Sequence, residues 1–184
     1  MLPGYDIAKA AQAVAYFALK SGGDINVLKL SKLLYLAERE FMRRFDEPMF
    51  YDRLVSMPDG PVASVTLNFI NGEIENPTWC AYVAPRERYS IKQAESINSP
   101  EQLDQLSKAD LSVLEDLWQR FGDYDRYELR DWTHRKENVP EWEDPDGSSN
   151  PISHKDVFEF LGKEDVELLT QQVEERRELA KALS

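Results

Sequence analysis

A chain of 184 residues, 42% hydrophobic and 30% charged, has the balance of an ordinary globular protein and fits a single domain over residues 1–184, with room for a real core. Its formal net charge of -12 repels phosphate backbones and anionic membrane surfaces and attracts basic partners, which disfavours nucleic-acid and membrane roles. A lone cysteine, Cys80, excludes an intramolecular disulfide and any four-cysteine or Cys/His zinc array, so a reducing cytoplasm suits the chain.

No stretch approaches the roughly 18 apolar residues of a membrane span, and Met1 to Lys20 lacks the pattern of an export signal. Taken in chain order, the first periodic segment is Ile7, Ala11, Val14, Ala15, Ala18 and Leu19, with Asp6 placed to cap it and Gly22-Gly23 to stop it. Its small side chains let a neighbouring helix approach closely. From Asp24 to Phe45, Val27, Leu30, Leu33, Leu34, Ala37, Phe41 and Phe45 recur at three-to-four spacing and predict a central core helix. Its basic residues Lys29, Lys32, Arg39, Arg43 and Arg44 are interrupted by Glu38, Glu40 and Asp46, and read as a solvated face rather than a nucleic-acid patch.

Asp46 to Pro58 is too broken for a helix. Asp59-Gly60-Pro61 is expected to open one, because proline is tolerated at a first helical position, where its missing N–H has no intrahelical partner. Val62, Val65, Phe69 and Ile70 supply the buried stripe, and Asn71-Gly72 ends it. Between Thr78 and Gln93 the residues Trp79, Ala81 and Val83 alternate with others, and Tyr89 and Ile91 follow Pro85-Arg86-Glu87-Arg88. A small hairpin or two extended pieces is expected there. Asn98 to Leu106 is a polar connection.

Ser107 with Asp110 has the spacing of a capping box before Leu111, Leu114, Leu117, Trp118 and Phe121, and Gly122 closes that helix. Asp125 and Glu128 repeat the arrangement before Leu129, Trp132 and Thr133. Asn138 to Ser153, with Pro140, Pro145, Gly147 and Pro151, reads as a long loop, a kind often functional. Lys155 to Ser184 predicts one helical turn and a longer, largely solvated terminal helix. The expected fold class is mainly α (α+β), a compact helical domain with a small β-hairpin or short strands and a helical extension over 154–184.

Little in this pattern spells catalysis. P-loop, dinucleotide-type glycine and Gly-x-Ser-x-Gly signatures are lacking, and neither His134 nor His154 stands at metal-ligand spacing. Cys80, beside Trp79 and Ala81, reads as a small buried apolar residue rather than a nucleophile paired with His134. Acidic neighbours such as Asp123 and Asp125, or Glu141, Glu143 and Asp144, arise by composition in so acidic a chain, and solvated surface is the default. No cofactor and no metal are expected.

His134, at a predicted helix end, is placed for its partial positive charge to interact with the helix C-terminus. Trp132 and Trp142, near Arg130 and Arg135, are residue types that dominate contact energy in desolvated interface pockets. For Trp132, core packing with Leu129 is the stronger reading; for Trp142 core and contact stay open.

Two stretches together resemble the SocA-like Panacea domain. One is Leu30-Ser-Lys-Leu-Leu-Tyr-Leu-Ala37, followed through Asp46-Glu-Pro-Met-Phe50 to Gly60-Pro-Val62. The other is Tyr127-Glu-Leu-Arg-Asp-Trp-Thr-His134 with Pro140-Glu-Trp142. Asp46-Glu47-Pro48 stands where the family usually has a glycine, and Glu141 separates Pro140 from Trp142. The resemblance implies an α-rich fold with a small β element over a core of about 24–142, and a non-enzymatic antitoxin acting on a cognate toxin by protein-protein contact. A proteolytic adaptor handing its toxin to a protease is the alternative, and an enzyme using Cys80 or the acidic residues is a more distant one. Trp142, Arg135, His134 and Arg130 form the expected partner-facing cluster.

Overall fold

The computed structural model describes residues 2–183; Met1 and Ser184, the ends of the expected 1–184 unit, lie outside the described residues. Helix α1 spans Ile7–Lys20, with the Asp6 carboxylate accepting from the Lys9 N–H at 3.0 Å. Its whole stretch from Ala10 to Ala18 is buried, which its small residues permit. The helical periodicity that begins at Asp24 becomes helix only at Val27. Asn26 caps α2 (Val27–Phe45) through the Leu28 and Lys29 N–H groups, while strand β1 (Asp24–Asn26) pairs elsewhere.

Leu30, Leu33, Leu34, Tyr35 and Ala37 make α2 the centre of the core. Asp46 then adopts φ 63°, a left-handed conformation that glycine takes freely and Asp better than most residues. This accounts for the family's usual glycine at that point.

The expected helix start at Asp59-Gly60-Pro61 is a β-turn instead. Strands β2 (Leu54–Met57) and β3 (Gly60–Ala63) pair antiparallel with Met57 opposite Gly60, and helix α3 begins only at Ser64 and runs to Ile70. Pro61 is tolerated in β3 because that strand lies at the sheet edge, where a missing N–H breaks no ladder. Gly60 needs its φ of +99°, and a Cβ there would meet Thr133 Oγ1 at 2.9 Å.

Around Trp79 the alternation misleads. Pro77–Cys80 is one helical turn, α4, capped by the Asn76 side chain, with Trp79 buried against Phe69 and Cys80 exposed rather than buried. The hairpin expected over 78–93 is present only in part. Strand β4 (Ser90–Lys92) pairs with β1, while Val83–Gln93 and Glu87–Ser90 form single bridges. After a 3-10 turn at Pro100–Gln102 come α5 (Lys108–Phe121) and α6 (Arg126–Thr133), each opened by the reciprocal capping that the sequence predicts.

The long loop after Asn138 contains a strand. β5 (Asn150–Ile152) pairs antiparallel with β2 on the edge opposite β3. Another capping box, Ser153 with Asp156, opens α7 (His154–Phe160), and α8 (Val166–Ala182) packs back through Leu169 and Val173. Among the described residues there are eight α-helices and five short strands in two antiparallel sheets, a mainly α fold. No helix there is long and apolar enough to cross a membrane.

Two buried carboxylates tie α2 to the hairpin. Glu38 accepts from the backbone N–H groups of Met49, Phe50 (3.0 Å) and Asp52 (2.8 Å). Asp52 accepts from the N–H groups of Val65 and Thr66, both at 2.8 Å, and so supplies the N-terminal partner that Ala63 cannot give α3. Burial raises the Glu38 carboxyl to about 7 despite these donors. At the start of α7, burial and then Arg177 hold His154 down to about 3.

Candidate functional site

The N-terminal half of α2, the β2–β3 turn, the loop before β4 and the first turn of α6 do not close on one another. They leave an open groove of about 990 Å³. Val27, Leu28, Met57, Pro58, Val62 and Leu67 make its walls apolar. Charge is added by Lys32, Arg86 and Arg126 against one carboxylate, Asp59. None of the three basic side chains is ion-paired to a carboxylate among the described residues. In a chain of net charge -12 the groove is locally basic.

Lys32 sits at the floor, 1% exposed, its ammonium donating to the Pro61 carbonyl at 3.1 Å. Burial pulls it down to about 7; Asp59 opposes the shift and Arg130 adds to it. The rim carries two exposed tyrosines, Tyr89 at 73% and Tyr127 at 48%. Arg126 and Arg130 stand over the Tyr127 ring, 4.7 and 5.1 Å from its centroid. Arg86 donates to the Arg88 carbonyl at 2.7 Å and to the Asn71 side chain.

Of the four residues expected to face a partner, the structure brings two into contact. The rings of His134 and Trp142 stack at 4.2 Å, and the Trp142 indole N–H donates to the Met57 carbonyl at 3.1 Å. Trp142 thus straps the loop after α6 onto the hairpin bordering the groove, and it is partly buried. His134 is the C-cap residue of α6. Burial, then Lys32 and Arg130, lower its pKa, which works against the positive charge expected at the helix end. Arg130 is occupied by Asp131, while Arg135 is exposed. Trp132 packs edge-on against Phe121, with Arg120 above it.

Several residues read as solvated are not. Glu141 is buried, accepting from the Tyr35 hydroxyl at 2.6 Å and the Arg39 Nε–H at 2.6 Å. The residue that interrupts the family's Pro-Trp spacing is therefore an anchor of the strap to α2. Lys29 donates to the Gly122 carbonyl at 2.6 Å, and Arg44 pairs with Glu40 and Asp116, so these basic residues of α2 hold neighbouring elements, while Arg43, paired with Glu40 on the same helix, is solvated as expected. Arg86, Tyr89 and Arg126 escaped sequence reasoning as site residues. Each lies in a polar turn or helix start, and only the fold brings them to one groove.

Cys80 and His134 share no hydrogen bond. Among the described residues, no group of three or more His, Cys, Asp or Glu side chains is placed to hold a metal ion.

The profile of the antitoxin SocA-like Panacea domain matches residues 30–143. No curated protein and no solved structure matches the chain. The matched span contains α2 from Leu30, both strands of the hairpin, α6, His134 and the Trp142 strap, more than half of the sequence. The chain belongs to the antitoxin SocA-like, Panacea-domain family.

Proposed function

We propose that this chain is an antitoxin that neutralises a cognate protein toxin by direct contact, with the groove and its rim as the contact face. The observation that carries the reading is the pair of exposed rim tyrosines, Tyr89 and Tyr127, beside arginines without carboxylate partners over an apolar trough. Tyrosine and arginine supply much of the energy at protein interfaces, because each joins a large apolar contact area to a polar end. Family membership supports the antitoxin role. Trp142, His134, Arg130 and Arg135 belong to the border of this face. Trp142 and His134 hold its shape, and the two arginines are its outer contacts.

The test is co-expression with the product of the adjacent gene. Growth rescue with co-purification is expected, and rescue that persists in a protease-deficient host identifies blocking rather than delivery to a protease. A toxic product that this chain neither rescues nor binds would sink the reading.

A further inference from the structure

We infer that the groove receives an acidic, extended segment of the toxin, its carboxylates seated between Arg86 and Arg126 above Lys32 and its apolar side chains against the trough walls. This rests on the direct-contact reading and adds the chemistry of the partner. Three observations carry it. First, the lining reverses the sign of the whole molecule: two arginines, with the Lys32 amine below them, to one carboxylate, in a chain of net charge -12. Elsewhere among the described residues, twelve lysines and arginines form ion pairs within the chain, as Arg39 does with Glu141 and Lys163 with Asp46, and others, such as Arg53 and Arg135, do not. Arg86 and Arg126 have no such partner, and Lys32 satisfies one of its three donors on a backbone carbonyl.

Second, the walls are apolar, so charges within them act through a less polarisable medium than water, and an arriving carboxylate is held more strongly than on an open surface. Third, the open groove is lined by α6 and the loop before β4, with an exposed tyrosine on each, and by Gly147 and Ser148 of the loop before β5. An extended peptide fits between such rims, alternating side chains up toward the tyrosines and down into the trough. The molecule's net negative charge disfavours acidic partners in general. The groove therefore selects register as well as affinity, since only the segment that reaches Arg86 and Arg126 gains from them.

Overlapping peptides covering the toxin sequence, arrayed and probed with the intact chain, test this directly. The expected result is capture by peptides rich in Asp and Glu, weakening as salt is raised. The double variant Arg86→Glu/Arg126→Glu should lose that capture by about tenfold or more. Both positions are exposed, and a glutamate at the first turn of α6 suits the helix N-terminus, so folding is retained; an unchanged thermal midpoint verifies it. Capture confined to basic peptides, capture indifferent to the double variant, or no capture at all overturns the inference.

Growth rescue by Arg86→Glu/Arg126→Glu and by Tyr89→Ala/Tyr127→Ala separates this failure from failure of the contact reading. If only the tyrosine variant loses rescue, the groove binds the toxin but not through acidic groups. If both variants rescue fully, the groove is not the contact face. A fluorescent oligothymidine binding as tightly as the acidic peptides would assign the site to nucleic acid instead.

Discussion

Lys32 and Glu38 lie less than two turns apart on the same helix, both buried, and their surroundings differ in kind. Glu38 takes three backbone N–H groups from one loop, and its neighbour Asp52 takes the first turn of α3, so this seam is saturated from within the chain. Lys32 finds one carbonyl and lies under an open trough whose arginines are without carboxylate partners. A buried charge answered by its own backbone organises the fold. A buried amine beside an opening, with one of its three donors satisfied, leaves hydrogen-bonding capacity that the chain itself does not use.

The contrast breaks most sharply at Glu38. Glu38→Ala strands three buried N–H groups and should cost about 3 to 5 kcal/mol in urea denaturation, whereas Arg86→Glu/Arg126→Glu should leave the denaturation midpoint in place. Equal losses from both would erase the distinction between seam and groove.

Trp142 sits on the border between the regions. Trp142→Ala removes a stacked ring and one hydrogen bond, and for a partly buried side chain about 2 kcal/mol of stability is expected. Trp142→Phe, which keeps a ring and loses only the bond to Met57, should cost about 1 kcal/mol. Loss of toxin rescue by Trp142→Ala with no change in stability would make Trp142 a direct contact and not a strap.

The buried seam also carries a pH signature. His154 is held below its ordinary 6.5, near 3 in the folded chain; its neutral form therefore contributes stability that is present above pH 6.5 and is lost as pH falls toward 3. Glu38 has the opposite sign. Raised from 4.5 to about 7, it contributes fully below 4.5 and loses that contribution as pH rises through 7. His154→Leu should flatten the acid limb of the stability profile by about 1.4 kcal/mol per pH unit at most, measured by urea denaturation across the window from 6.5 to 3. An unchanged acid limb would mean that His154 is not buried as neutral imidazole.

The smallest effects belong to the outer arginines. Arg130→Ala and Arg135→Ala should leave thermal stability unchanged, because surface ion pairs such as Arg130 with Asp131 contribute little. Both should slow association with the toxin, seen as a lower on-rate at low salt in surface plasmon resonance. Rates identical to the parent at low salt would remove them from the contact face.

The elements read correctly from sequence are those whose determinants are local. Asp6, Ser107 with Asp110, and Asp125 with Glu128 cap the helices they precede, because a cap needs only side chains within one turn of the N–H groups it satisfies. The readings that changed depend on distant partners. Gly60-Pro61 is compatible with a helix start or an edge strand, and β2 decides it. Asn150–Ile152 is loop-like in composition and becomes a strand because β2 has a second free edge. Glu141 looks like one more surface acid until Tyr35 and Arg39, over a hundred positions away, close on it.

By itself, the amino-acid order determined the helical class, the central place of the Val27–Phe45 helix, the three capped starts and the two stretches by which the Panacea family is recognised, since all of these are carried by spacing along the chain. Tertiary structure alone decided which charges are answered and which are not. Whether a lysine or arginine meets a carboxylate depends on what the fold brings within reach. Lys32, Arg86 and Arg126, scattered over the sequence, share one groove only because α2 and α6 both pack on β3 while the Val27 N–H, donating to the Tyr89 carbonyl, ties the loop before β4 to the start of α2.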